Sequence, residues 1–162
     1  MSKEKKSKDI DLKGGATAAA AAVETRVMPQ APGVEKSLLS MMSIDPTNVI
    51  SKCIADGMTS DFFYVPAHRI LWELFCSRYE KNLPIDPVSI AQELEDRKQL
   101  EAVGGHAGLM DIVSYATTTA LAPHHFETLK EKYVRRAIIL ASNSASDAAF
   151  TSEEEVDQLL DE

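Results

Sequence analysis

Residues 123–148 read PHHFETLKEKYVRRAIILASNSASDA, and this stretch decides the fold class. Phe126, Leu129, Tyr133, Ala137 and Leu140 recur at the three-to-four spacing of one helix face, and Val134, Ile138 and Ile139 widen that face. Pro123 suits the first helical turn, where a missing N–H costs nothing. The spacing predicts one long helix running to about residue 148. Its apolar stripe is broader than a single packing layer consumes.

Working upstream, Gly104–Gly105 break the chain before a short helix over about 106–115, and the Thr- and Ala-rich residues 116–122 connect it to the long one. The two helices are expected to pair as an antiparallel hairpin over 106–148. A hairpin with spare apolar surface finds a copy of itself, with a two-fold dimer as the usual result.

The first half is helical too. Ile44-Asp45-Pro46 and Ile85-Asp86-Pro87 are the same start signal used twice: an Asp to cap the free N–H groups, then Pro in the first turn. Gly57 closes the helix that Asp45 opens. A short turn around Ser60–Phe63 leads into a helix over about 66–81. The expected core is Leu38, Leu39, Phe62, Ile70, Leu71, Leu74, Phe75, Ile90 and Leu94. No run alternates as a strand would. The predicted fold class is all-α: a compact bundle of about six short helices ending in a long helical hairpin, followed by the start of a linker helix.

Both ends read differently from the middle. Residues 1–32 carry charge, Gly14–Gly15, an Ala tract and two prolines, and are expected to be a disordered leader. The helical domain is assigned to 33–148. Ser152 and Glu155 form a capping box before Val156, Leu159 and Leu160, the start of a linker helix over 149–162.

Composition excludes several function classes. The chain has 162 residues, 44% hydrophobic and 26% charged, with a net charge of −8. The leader contributes six Lys/Arg against four Asp/Glu, so 33–162 carries a net −10, the opposite of a domain-wide nucleic-acid footprint. Two cysteines rule out a disulfide scaffold. No apolar run approaches the roughly 20 residues needed to span a bilayer. No secretory or transit signal is evident, and a cytoplasmic protein with no membrane partner is expected.

No catalytic, cofactor or metal site is expected. No glycine-spaced Lys-Ser/Thr loop exists for nucleotide phosphates, and Gly104-Gly105-His106-Ala107-Gly108 reads as a helix break. His124 and His125 are adjacent, so on a helix they diverge by about 100° and do not share an ion. His68, Trp72 and Cys76 share one face, but His68 and Cys76 lie about 12 Å apart along the axis, so Cys76 reads as packed and inert. Cys53 reads the same way. Lys130, Lys132, Arg135 and Arg136 form a basic stretch. It is a candidate phosphate or partner contact, weighed against a solubilising face paired with Glu127 and Glu131.

Several segments together resemble one family. Glu35-Lys36-Ser37-Leu38-Leu39-Ser40 is similar to the opening helix of the N-terminal domain of bacterial replicative DNA helicases, the DnaB-like family. Ser60-Asp61-Phe62-Phe63-Tyr64 followed by His68-Arg69-Ile70-Leu71-Trp72 resembles its D-F-Y…H-R-x-I-F/W segment. Pro84-Ile85-Asp86-Pro87-Val88-Ser89-Ile90-Ala91 with Glu93-Leu94 is similar to P-I-D-x-V-T-L-A-x-E-L. Leu100-Glu101-Ala102-Val103-Gly104-Gly105 resembles L-E-x-V-G-G, and Leu129–Arg136 resembles the start of the final hairpin helix. The order and spacing fit over about 33–162.

The resemblance implies a non-catalytic oligomerisation and docking domain. In the family, hairpins pair between subunits and three pairs form a collar above a hexameric motor. Primase and, in some bacteria, helicase loaders dock there. ATP hydrolysis and most DNA contact belong to the motor domain, whose motifs these residues lack. By resemblance, Phe126, Leu129, Tyr133 and Ala137 are the hairpin packing and pairing positions. Two departures stand out: the leader is longer than usual, and Ala122-Pro123-His124-His125 replaces the usual Asn-containing hairpin tip. Two alternatives remain at this stage. One is a free-standing helicase- or primase-binding regulator of related fold; the helicase-binding end of primase also has a related fold, and the PIDxV and VGG segments argue for the helicase side. The other is a small helical nucleic-acid-binding domain, which the net −10 opposes.

Overall fold

The computed structural model describes residues 27–151, and within them every regular element is helical. Six α-helices follow in order: α1 (Pro32–Ile44), α2 (Pro46–Ala55), α3 (Pro66–Glu80), α4 (Pro87–Asp96), α5 (Gly105–Val113) and α6 (Ala122–Thr151). Single 3-10 turns at Ser60–Phe62 and Glu101–Val103 lead into α3 and α5.

Local chemistry explains the element boundaries. The Asp45 carboxylate accepts from the N–H of Asn48, and that of Asp86 accepts from the N–H groups of Val88 and Ser89. Five of the six helices, α1 to α4 and α6, have Pro in the first turn. Gly57 after α2 and Gly104 before α5 take left-handed backbone, at φ +80° and +89°. A Cβ on Gly108 would lie 2.3 Å from the Val103 carbonyl oxygen, so only glycine lets α5 sit this close to the preceding turn.

The centre of the bundle is α1. It is buried from Ser37 to Met42 on every side and packs against α2, α3, α5 and α6. Of the expected core, Leu38, Leu39, Phe62, Leu71, Leu74, Phe75, Ile90 and Leu94 are buried; Ile70 is the exception, half-buried at the core's edge. Residues 27–31, expected in the leader, run into the body: Ala31 packs against the core, and Pro32 already begins α1.

The expected pairing of the two helices within 106–148 needs correction. α5 packs on α1 and α4, whereas α6 packs on α1 and the Ser60–Phe62 turn. They share α1 as a neighbour rather than lining each other. The reason lies at the end of α5. Ser40 on α1 donates to the Val113 carbonyl at 2.8 Å and accepts from the Ala116 N–H at 2.9 Å. That pins the exit of α5 and the start of the connector to α1. The capping box at Ser152 lies outside the described residues.

Candidate interaction surface

The first four turns of α6 are built into the body. Phe126 and Leu129 are buried, and Tyr133 stacks on Phe62 with ring centroids 4.6 Å apart. Arg136 follows on the same face and is buried, with its guanidinium spent on three main-chain carbonyls. It donates to Pro29 at 3.0 Å, to Asp61 at 2.6 Å and to Phe62 at 2.9 Å. Burial lowers its pKa from the ordinary arginine value, but arginine keeps its charge regardless.

The same short segment is held from the other side by α1. The buried Glu35 carboxylate accepts from the N–H groups of Tyr64 (2.8 Å) and Val65 (3.2 Å), and from His68 Nδ1 at 2.8 Å. Val65 is the N-cap of α3, so Glu35 takes the N–H groups of the two residues that lead into that helix and fixes its entry from another helix. Burial pushes the Glu35 carboxyl up. The hydrogen bonds from His68, Tyr64 and Val65 outweigh it and hold the group below its ordinary value.

Past Arg136 the helix leaves its support. Val134, Ile138 and Leu140 are 45%, 60% and 60% exposed, and Phe150 is 88% exposed. From Leu140 to Asp147 every residue is exposed. Among the described residues nothing packs against Leu140 to Ser146, and tertiary packing is what ordinarily stabilises helices in proteins. Val134, Ile138 and Ala141 line one exposed side at helical spacing.

The model of the DnaB-like helicase N-terminal domain matches residues 27–131 of this sequence. The chain belongs to that family. It is 28% identical over 137 residues to the replicative DNA helicase DnaB of Geobacillus stearothermophilus, covering 85% of this chain and 30% of that protein. It is likewise 28% identical over 134 residues to the replicative DNA helicase DnaB of Synechocystis, covering 83% of this chain and 15% of the relative. The chain thus spans less than a third of the length of these relatives. Its fold is similar to the crystal structure of the N-terminal domain of DnaB helicase from Mycobacterium tuberculosis. That likeness has a TM-score of 0.76 at 24% identity and covers 83% of this chain and 94% of the other.

Within this DnaB-like domain, the residues picked from the sequence separate into two groups. Phe126, Leu129 and Tyr133 pack inside the protomer, while Ala137 is exposed at the start of the bare segment. Arg136 departs from the reading as a phosphate contact, because three carbonyls already take its donors. Lys130 is exposed with its ammonium 5.9 Å from the Phe126 ring centre, and Arg135 pairs with Glu131 at 2.6 Å. His106 pairs with Glu95, and His124 and His125 stand with ring centres 6.0 Å apart. Among the described residues no cluster of His, Cys, Asp or Glu could hold a metal ion, and no helix is long and apolar enough to cross a membrane. Burial pushes the thiols of Cys53 and Cys76 up to about 12, the state of inert packed cysteines.

Proposed function

We propose that this chain is the oligomerisation and docking domain of a replicative DNA helicase, contributing to the collar of a hexamer and receiving primase or a helicase loader. The supporting observation is the second half of α6, where Val134, Ile138 and Leu140 are exposed and no partner packs on them among the described residues. Bare apolar helix of this kind is the usual mark of an interface. In this reading the self-pairing face is that exposed side, and the buried Phe126 and Leu129 position the helix. DNA contact is weak or indirect, because the net charge of the whole chain is −8.

The test is light scattering coupled to size exclusion on the full chain, over a concentration series. A dimer or larger assembly is expected, and Ile138→Lys should shift it to monomer without lowering the melting temperature. A strict monomer at the highest concentration would overturn self-pairing by this chain. Salt-sensitive binding to single-stranded DNA would favour the nucleic-acid alternative instead.

A further inference from the structure

A groove of about 300 Å³ lies between α2 and the start of α6, on a different part of the surface from the bare end of α6. Its floor is apolar, formed by Val49, Cys53 and Phe126. Its rim is acidic: Asp45, Asp56 and Glu127 stand against the single ammonium of Lys52. Lys52 is committed to Asp56 at 2.9 Å, so Asp45 and Glu127 are the surplus charge. A segment suited to this groove would be short and basic, with one or two large apolar side chains.

The sequence contains such a segment in the same chain. Residues 3–13 read KEKKSKDIDLK, five lysines against Glu4, Asp9 and Asp11 for a net +2, and in an extended chain Ile10 and Leu12 fall on the face opposite Asp9 and Asp11. We propose that this N-terminal segment docks in the α2–α6 groove of its own protomer, with Ile10 and Leu12 against the apolar floor and the lysines along the acidic rim.

The tether permits it. Arg136 holds the Pro29 carbonyl against α6, and Phe126 lies ten residues earlier on that helix, about 15 Å along the axis. The 17 residue steps from Leu12 to Pro29 can span up to about 60 Å. A tether of this kind gives effective concentrations in the mM range, so a contact too weak to join two separate molecules is still populated within one. A partner that uses the groove would first have to displace the segment.

The test is paramagnetic broadening in the full chain. A nitroxide on Ser7→Cys reports where the segment sits, since the native thiols are pushed up to about 12 and react slowly. The amides of Asn48, Lys52, Asp56 and Glu127 should lose more than half their intensity. Ile10→Asp with Leu12→Asp should restore it, as should Glu127→Lys. Salt of about 1 M should also weaken the contact, because it shortens electrostatic range to about 3 Å. Uniform or absent broadening would overturn the proposal. So would broadening centred on Val88 and Met110, which line the separate groove between α4 and α5. In a mixture, spin-labelled chains without isotope are combined with isotope-labelled chains without nitroxide. Broadening there as strong as within one chain would assign the segment to a second copy and overturn docking in cis.

Discussion

Glu35 on α1 and His68 on α3 meet in the core, with carboxylate Oε2 2.8 Å from ring Nδ1, although 33 residues separate them in sequence. The carboxylate also takes the N–H groups of Tyr64 and Val65, so one buried side chain anchors the entry to α3. Replacing it with Ala strands these donors away from water. Glu35→Ala should therefore lower unfolding free energy by on the order of 3 kcal/mol in urea titrations, and Glu35→Gln, which keeps one acceptor oxygen, by less.

The same carboxylate makes stability depend on pH. Its folded pKa lies below the ordinary 4.5, so its contribution is complete above about that pH. Stability is lost as pH falls through the folded value, because protonation removes the acceptor. Urea midpoints measured from pH 7 down to pH 3 should drop more steeply for the natural chain than for Glu35→Gln, which has no proton to gain there.

Arg136 holds the other edge of the same segment. Its donors reach the carbonyls of Asp61 and Phe62, while Glu35 takes the N–H groups of Tyr64 and Val65. Arg136→Lys keeps the charge but loses the planar fork, and should cost about 2 kcal/mol. The double variant Glu35→Gln/Arg136→Lys should depart from additivity by at least about 0.5 kcal/mol, because both residues order one stretch of backbone. Strict additivity in the melts would show that the two edges act independently.

These two residues also mark where sequence reasoning stops. The starts of α2 and α4 were legible because Asp45 and Asp86 act on backbone within three residues of themselves. The long-range roles of Glu35 and Arg136 were not legible, because their partners lie 29 to 107 residues away. On α6 the spacing predicts a stripe through Tyr133 to Ala137, a step of four, whereas the structure takes a step of three to Arg136. Helical spacing allows both steps, and the part-buried Asp61 and buried Phe62 carbonyls, which require a donor, select the arginine. The excess width of that stripe is legible in Val134, Ile138 and Ile139, of which Val134 and Ile138 are exposed and Ile139 is half-buried.

Two glycines should respond differently to Ala. At Gly108 the new methyl would meet the Val103 carbonyl at 2.3 Å, so backbone must move, at a cost of about 1–3 kcal/mol. At Gly57 nothing lies within 4 Å, and the penalty is the left-handed backbone alone, about 1 kcal/mol. Gly57→Asn should recover part of that loss, since Asn tolerates this conformation, whereas Gly108→Asn should be worse than Gly108→Ala. Thermal melts of the four variants separate strain from collision.

The two halves of α6 should separate stability from assembly. Phe126 is buried, and its ring centre lies 5.9 Å from that of Phe62, so Phe126→Ala removes core volume and should cost about 3–5 kcal/mol. It should also lower assembly, but in step with unfolding. Ile138 is 60% exposed and Val134 is 45% exposed, so Ile138→Glu or Val134→Glu should stay within about 0.5 kcal/mol of the natural stability. If the exposed side is the interface, these variants dissociate while fully folded. Sedimentation and melting on the same samples give the comparison. Loss of assembly at Phe126 together with unchanged assembly at Ile138 and Val134 would move the interface off this side of the helix.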